Sequence, residues 1–424
     1  MTSKTVLLKG TQQDGFIAAL LHVYGQLRTP LFLIHPLPVV LPLRQRQVFA
    51  QTSLNILIVM DLPQYMRIVL FQLRNLGRHR ILPLLQKHQD VIQVRTFIRF
   101  IREKLLQLGN RHPRVLLPAV SLGFWHNFGD TSPYENMKQL CFTAFDHGIT
   151  HFDLANNYGP NPGSAERNPG RILREELGAY RDELVLSTKA GYEMWDGPYG
   201  NWGSRKHILA SLDQSLQRMG LPYVDIFYHH RMDSNTPLEE TMSALAQAVT
   251  EEGKALYVGL SNYDGRALEK ACKILNELRC PFIINQNRYS IFDRTIEQNG
   301  LKESAARLQK GIIAFSPLAQ GMLTDRYLHG IPEDSRIKTD GRFLHAADLT
   351  EKRLHQIRAL NELAVSRGQT LAEMALSWVL RDGIVTSVLI GASKPSQILD
   401  HIKALENTAF SEEEQVKIDQ ITKM

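Results

Sequence analysis

The sequence predicts an α/β protein: a closed parallel (β/α)8 barrel over residues 115–424, preceded by an atypical basic extension over residues 1–114. Three observations predict it. After Val115, short β-rich runs alternate with amphipathic helical segments, the pattern of a parallel sheet. Eight such runs fall within 310 residues, which suits one closed barrel better than an open sheet. No Gly-x-Gly-x-x-Gly follows any of the runs and no phosphate-loop motif occurs, which removes the usual reason to prefer an open dinucleotide-binding sheet.

The strands are expected at Ala119–Leu122, His151–Leu154, Leu184–Lys189, Val224–Tyr228, Ala255–Gly259, Phe282–Asn285, Gly311–Phe315 and Ser387–Ile390. Between them lie helical patterns such as NMKQLCFTAFDHG and KHILASLDQSLQRMG. Gly148, Gly178, Gly220 and Gly253 stand where left-handed helix caps are expected.

Residues 1–114 read differently. They hold 16 Lys and Arg against 4 acidic residues, whereas the rest holds 33 against 39, so the overall charge of +6 averages two unlike regions. The basic residues are scattered singly among Leu, Gln, Pro and His, which argues against a nucleic-acid or membrane partner. Only Thr96–Leu108 carries a helical pattern. The expectation is a poorly ordered extension, translated out of frame or from a misassigned start, with a genuine but unusual extra domain as the alternative. The first residues do not read as a signal peptide. The apolar stretch Leu31–Leu43 contains His35, Pro36, Pro38 and Pro42 and is too short and broken to span a bilayer. Three scattered cysteines suit a reduced cytoplasmic protein without a disulfide framework or metal site.

Catalytic groups of such barrels sit at the C-terminal ends of the strands. The second strand delivers Asp153, with Tyr158 in the loop beyond; the third delivers Lys189; the fourth ends in His229 and His230, of which alternation admits one. The spacings of 36 and 41 residues from Asp153 to Lys189 to His230 are each about one βα unit. A buried Asp and Lys relieve each other's desolvation. A tyrosine hydroxyl, with a pKa near ~10, is a weak acid at neutral pH. A neighbouring Lys189 ammonium is expected to stabilise the phenolate and lower that value. Such a group serves a reaction that creates an alkoxide, as carbonyl reduction by hydride does.

The segments GITHFDLANNYG, LSTKAG, YVDIFYHHR, GLSN and SPLAQGMLT resemble the aldo-keto reductases over roughly residues 115–424. RKHILASLDQSLQRMGLPYVDIFYHHR and TSVLIGASKPSQI are similar to the branch that holds bacterial L-glyceraldehyde 3-phosphate reductases and potassium-channel β-subunits. The resemblance implies a catalytic tetrad of Asp153, Tyr158, Lys189 and His230, and so selects His230 over His229. It also implies NADPH as hydride donor. Trp125, Asp153, Ser261, Asn262 and Gln286 are then expected near the nicotinamide. Phe315, Ser316, Pro317, Leu318, Ala319 and Gly321 would lie under the ring and pyrophosphate, Arg326 and Arg336 near the phosphates, and Gly391, Ser393, Gln397 and His401 at the adenosine end. Trp125, Trp195 and Trp202 are expected to wall the pocket, with Trp195 alternatively capping the mouth.

Several departures carry consequences. Arg326 replaces a phosphate-facing lysine of the branch, and Asp400 and His401 replace a Glu-Asn pair. AERNPG puts Pro169 near the start of the second helix, where proline is tolerated. The family's N-terminal segment, of the form YRxxGxSGLxLP, survives only as VLLPAVSLG, so an unplugged barrel floor is expected unless the preceding residues substitute. The implied activity is NADPH-dependent reduction of small aldehydes such as L-glyceraldehyde 3-phosphate or methylglyoxal, in the cytoplasm, with no nucleic-acid or membrane partner and with homo-oligomerisation left open. The rival expectation is an NADPH-binding, redox-sensing regulatory subunit with slow reductase activity.

Overall fold

Eight strands close on one another in sequence order, each parallel to its neighbours, with β8 returning to β1. They are β1 (Val120–Gly123), β2 (His151–Asp153), β3 (Val185–Ala190), β4 (Val224–His229), β5 (Ala255–Ser261), β6 (Phe282–Arg288), β7 (Gly311–Phe315) and β8 (Val385–Ile390). This computed structural model describes residues 115–333, 335–339, 341 and 344–423. The expected basic extension and its helix at Thr96–Leu108 lie outside the described residues.

The strands are short and buried on both faces because helices cover the outside and side chains fill the inside. The outer core joins strand residues such as Phe152, Phe227 and Val258 to helix residues such as Leu212, Leu245, Leu268 and Trp378. Local capping fixes where several of those helices begin. Ser204 accepts from the amide of His207 at the start of Arg205–Met219. Asp264 accepts from Ala267 at the start of Gly265–Glu277, and Thr370 and Glu373 form a reciprocal capping box at Leu371–Leu380.

Three expectations change. Gly148, Gly220 and Gly253 adopt left-handed backbones, but Gly178 does not: its φ is −58°, because the chain there passes through a wide turn, Leu173–Leu177, into the 3-10 helix Gly178–Glu183. Pro169 lies inside the helix Ser164–Ile172 rather than at its first turn. Its missing N–H removes a backbone bond one turn before the wide turn, a disruption of the kind proline introduces within helices. Part of the barrel floor is also filled. Leu117 is buried against Ile226, Tyr228, Ile283, Ile284 and Ile313, and Val115, Val185, Tyr257 and Leu389 pack on this cluster. Two residues of the surviving VLLP segment therefore supply apolar filling that the shortened family pattern had put in doubt.

One glycine is required by the interior. A Cβ on Gly259 of β5 would lie 2.4 Å from the Tyr228 ring, so the glycine makes room for that ring inside the barrel.

Candidate active site

The parallel register sets the site. Asp153 of β2 pairs with Ser187 of β3, and Lys189 of β3 pairs with Tyr228 of β4. Beyond β4, the amide of His230 donates to the Ala190 carbonyl at 2.8 Å. Adjacent strand ends thus carry the carboxylate, the ammonium and the imidazole.

Lys189 and Asp153 are fully buried and lie 2.5 Å apart, Nζ to Oδ2. An ammonium has three protons and accepts nothing. Lys189 spends them on Asp153 Oδ2, on the Leu154 carbonyl at 2.7 Å and on the Tyr158 hydroxyl oxygen at 3.4 Å. Tyr158 therefore accepts from Lys189 and keeps its own proton for another acceptor. Burial pushes the Lys189 ammonium below its usual range, and the Asp153 carboxylate opposes that.

The expected acidification of Tyr158 is not found. Burial, then Asp153 and Tyr192, push its hydroxyl well above the ordinary tyrosine value. The physical reason is chiefly burial, because a phenolate held away from water loses its solvation, and the Asp153 carboxylate repels it further. Tyr158 is held as a protonated donor until a stronger base appears.

Both neighbouring histidines have definite places. His229 faces outward: its Nδ1 is 2.7 Å from the Tyr263 hydroxyl, and burial pulls it down to about 3. The His230 ring meets Tyr158 edge-on at 5.8 Å and Tyr192 at 4.6 Å. Burial first, then Lys189, His229 and Arg231, hold His230 well below the usual histidine range. It is a neutral imidazole at pH 7, with one donor and one acceptor nitrogen.

Beneath the tetrad runs a row of polar side chains that the sequence reading passed over. Ser187 Oγ donates to Asp153 Oδ1 at 2.7 Å. Its single proton is then used, so it accepts from His151 Nε2 at 3.0 Å. His151 Nδ1 is then the acceptor and receives the Ser121 hydroxyl at 2.9 Å, and Ser121 in turn accepts from Ser387 at 2.6 Å. The polarity of all four links follows from one ionised carboxylate. Burial pulls His151 down to about 4, which keeps it neutral as the row requires. Gln286 Nε2 completes the Asp153 shell at 3.0 Å. The clue in the sequence was alternation: HFD puts His151 on the face of Asp153, and STK puts Ser187 on the face of Lys189.

The expected cofactor residues fall into groups. Ser261 Oγ donates to the Gln286 carbonyl at 2.9 Å, and Asn262 Nδ2 donates to the His230 carbonyl at 2.9 Å. These bonds join the ends of β5 and β6 to the tetrad. The Asn262 amide nitrogen is thus used, and that of Gln286 is used on Asp153, so Asn262 Oδ1 and Gln286 Oε1 remain acceptors, the pair that a carboxamide NH2 donor needs. Past Phe315 and around Pro317 and Leu318, the backbone is left-handed at Ser316 (φ 51°), Ala319 (47°), Gln320 (60°) and Gly321 (99°). With Asn262 at 58°, non-glycine strain concentrates on the loops above β5 and β7, where strained backbone commonly marks function. At the β8 end, Gly391 is exposed, and Gln397 Oε1 accepts from the amide and hydroxyl of Ser393 at 2.8 and 3.1 Å. Asn127 donates to the Ala392 carbonyl at 2.7 Å and ties this loop to the one after β1. Trp125, in that β1 loop, is half-buried, its ring 3.9 Å from His126.

Other residues stand further from the tetrad's bonds. Trp195 packs on His207 at 5.0 Å, against the helix Arg205–Met219. His401 is buried and pulled down to about 4, whereas Asp400 is exposed and paired with Lys403 at 2.8 Å. Arg326 is half-buried in the short helix Asp325–Tyr327. Arg336 opens the helix Arg336–Thr339, and its side chain lies outside the described residues.

The model of the Aldo/keto reductase family matches residues 119–423. The chain belongs to that family. It is 57% identical over 307 residues to the protein named L-glyceraldehyde 3-phosphate reductase in Escherichia coli strain K12, covering 72% of this chain and 88% of the relative. A Schizosaccharomyces pombe protein, provisionally named a voltage-gated potassium channel subunit beta, is 36% identical over 298 residues, covering 68% of this chain and 84% of its own. This aldo-keto reductase is an oxidoreductase, and its barrel carries the tetrad side chains at four adjoining positions on one rim. Among the described residues no helix is long and apolar enough to cross a membrane, and no cluster of side chains could hold a metal ion.

Proposed function

We propose that this chain reduces small aldehydes to primary alcohols with NADPH, using Tyr158 as the proton donor. The observation that carries the proposal is the use of all three Lys189 protons, on Asp153, Leu154 and Tyr158, which leaves the phenol proton for substrate. The residues present suit the cofactor: the acceptor oxygens of Asn262 and Gln286 match a nicotinamide carboxamide, and the left-handed loop from Ser316 to Gly321 follows β7 on the same rim. Bound there, NADPH supplies the hydride that adds to the carbonyl carbon.

The protein's part is to orient and to deliver a proton. The carbonyl oxygen lies between Tyr158 and the neutral His230, which donates a hydrogen bond without adding charge. As the carbon accepts hydride, the oxygen becomes an alkoxide, a far stronger base than a carbonyl. Only then does the high proton affinity of the Tyr158 phenolate cease to hold the proton, and the O–H transfers. Lys189 stays charged beside Asp153 and steadies the phenolate that remains. The high tyrosine value is consistent with this order, because it discourages proton loss before substrate arrives.

The substrates we assign are small aldehydes of the glyceraldehyde 3-phosphate or methylglyoxal class, the first matching the name of the Escherichia coli relative. Three buried, unpaired cysteines accord with a cytoplasmic setting. Replacing Tyr158 with Phe is expected to lower turnover by about 10²- to 10⁴-fold while leaving NADPH affinity close to normal. Unchanged turnover would refute the acid assignment. The similarity to a channel-subunit relative supports a second reading, a redox-sensing subunit; sluggish turnover with a tightly held cofactor would favour it over the enzyme.

A further inference from the structure

Arg231 follows His230 directly and has no counter-ion among the described residues. Its Nε donates to the Gly191 carbonyl at 3.0 Å and its Nη2 to Asn201 Oδ1 at 2.9 Å. Both acceptors are neutral, and among the described residues no carboxylate pairs with it. A guanidinium has five N–H donors in a rigid fork, so three are left without a partner among the described residues. The nearest acid in sequence, Asp233, is taken up by Thr236, Gly203 and Asn235 at 2.6, 3.0 and 2.8 Å. A half-buried cation is normally paired when acids are at hand.

The guanidinium is also held still. Its carbon lies 3.7 Å from the Trp202 ring centre and 4.1 Å from that of Tyr192. Trp202 takes a left-handed backbone, φ 71°, to reach this position, and its amide shares the Asn201 Oδ1 that Arg231 uses. Backbone strain of this kind persists only where its surroundings over-determine it. The line of contacts runs back to the chemistry: Arg231 on Tyr192, Tyr192 edge-on to His230 at 4.6 Å, and His230 edge-on to Tyr158 at 5.8 Å.

We infer that Arg231 forms an anion subsite at the barrel mouth that takes the phosphate of a phosphorylated short-chain aldehyde. The inference rests on the aldehyde-reductase reading above and narrows its substrate class. Arg231 stacks at 4.1 Å on the Tyr192 ring that meets His230 at 4.6 Å, so a phosphate two carbons from a carbonyl held between Tyr158 and His230 is within reach of the guanidinium. Two N–H groups of a guanidinium fit two oxygens of a phosphate monoester, and aromatic stacking leaves that edge of the fork free. Methylglyoxal lacks the phosphate and gains nothing from Arg231.

The test uses the full chain and the Arg231→Met and Arg231→Lys variants. The first measurement is the ratio of kcat/KM for glyceraldehyde 3-phosphate to that for glyceraldehyde. Arg231→Met is expected to lower this ratio about 10- to 100-fold, mainly through KM for the phosphorylated aldehyde, with Arg231→Lys in between. Equal losses on both substrates would make Arg231 a pin for the loop and overturn the inference, as would an unchanged ratio. The second measurement needs no turnover: calorimetric titration with glycerol 3-phosphate and with glycerol. Saturable binding of the phosphate ester alone, weakened about tenfold or more in Arg231→Met, supports the subsite. Equal binding to both proteins overturns it. A wild-type chain that binds the ester through Arg231 yet reduces neither aldehyde would sink the reductase reading and leave the subsite standing.

Discussion

The two halves of the barrel interior are built from the same strands by opposite means. Toward the N-terminal ends, Leu117, Ile226, Ile284 and Ile313 fill the space with apolar side chains. A step or two further along the strands, Ser121, His151, Ser187, Asp153, Lys189 and Gln286 fill it with polar ones, all nearly or fully buried. The lower half tolerates imperfect fit at the cost of some packing. The upper half depends on every donor having its acceptor, because an unmatched buried charge or N–H has no water to turn to. The tetrad is thus the top layer of a polar network standing on an oily floor.

Substitutions can test that contrast, taken from the largest effect downward. Lys189→Met should abolish turnover and destabilise the barrel by about 3–5 kcal/mol, because Asp153 would remain as an unpaired buried carboxylate. Chemical denaturation beside a turnover assay reads both; a loss of turnover without loss of stability would contradict the network picture. Leu117→Ala should cost about 2–5 kcal/mol as a cavity opens in the floor, with kcat preserved in the molecules that remain folded. A fall in kcat there would mean that the halves are coupled.

Next comes pH. His151 and His401 sit at about 4 and His229 at about 3, all pulled down by burial. Their folded values lie below the unfolded value of about 6.5, so the unfolded chain binds protons first as pH falls. Their contribution is complete above about pH 6.5 and is lost toward pH 4, at about 1.4 kcal/mol per histidine per pH unit. Denaturation midpoints at pH 7.5 and pH 5 should differ accordingly; equal midpoints would show that these rings reach water. The smallest effect is Ser187→Ala, about 1–2 kcal/mol from the lost bond to Asp153, with a modest drop in turnover. Indifference of both would remove the row from any part in the site.

Much of the fold could be read because a barrel repeats one rule. The β7 limits agree with the sequence reading, and β5 and β6 run two and three residues longer, where Ser261 and Gln286 continue the ladder. The rim positions of Asp153 and Lys189 followed from the same rule. What stayed hidden depended on partners remote in sequence. One histidine between two serines looks ordinary until β1, β2, β3 and β8 close and bring Ser387 within 2.6 Å of Ser121. Tyr158 was misjudged because its burial, and the nearness of the Asp153 charge, appear only once the barrel closes. Pro169 was misjudged because its helix begins earlier, at Ser164, and Gly178 because a wide turn at Leu173–Leu177 carries the chain on into a 3-10 helix. Leu117 was underrated because its burial is visible only against the side chains of β4, β6 and β7 that it meets.

The one-way row beneath the tetrad also bears on descent. Ser387, Ser121, His151 and Ser187 each have their donor and acceptor roles fixed by the neighbour nearer Asp153. A change at any one reverses or strands the others, so residues 121, 151, 187 and 387 should be inherited as a set. Where a related sequence has lost the imidazole, its three serine positions are expected to have turned apolar together, and chimeras that mix the two solutions should fold worse than either parent.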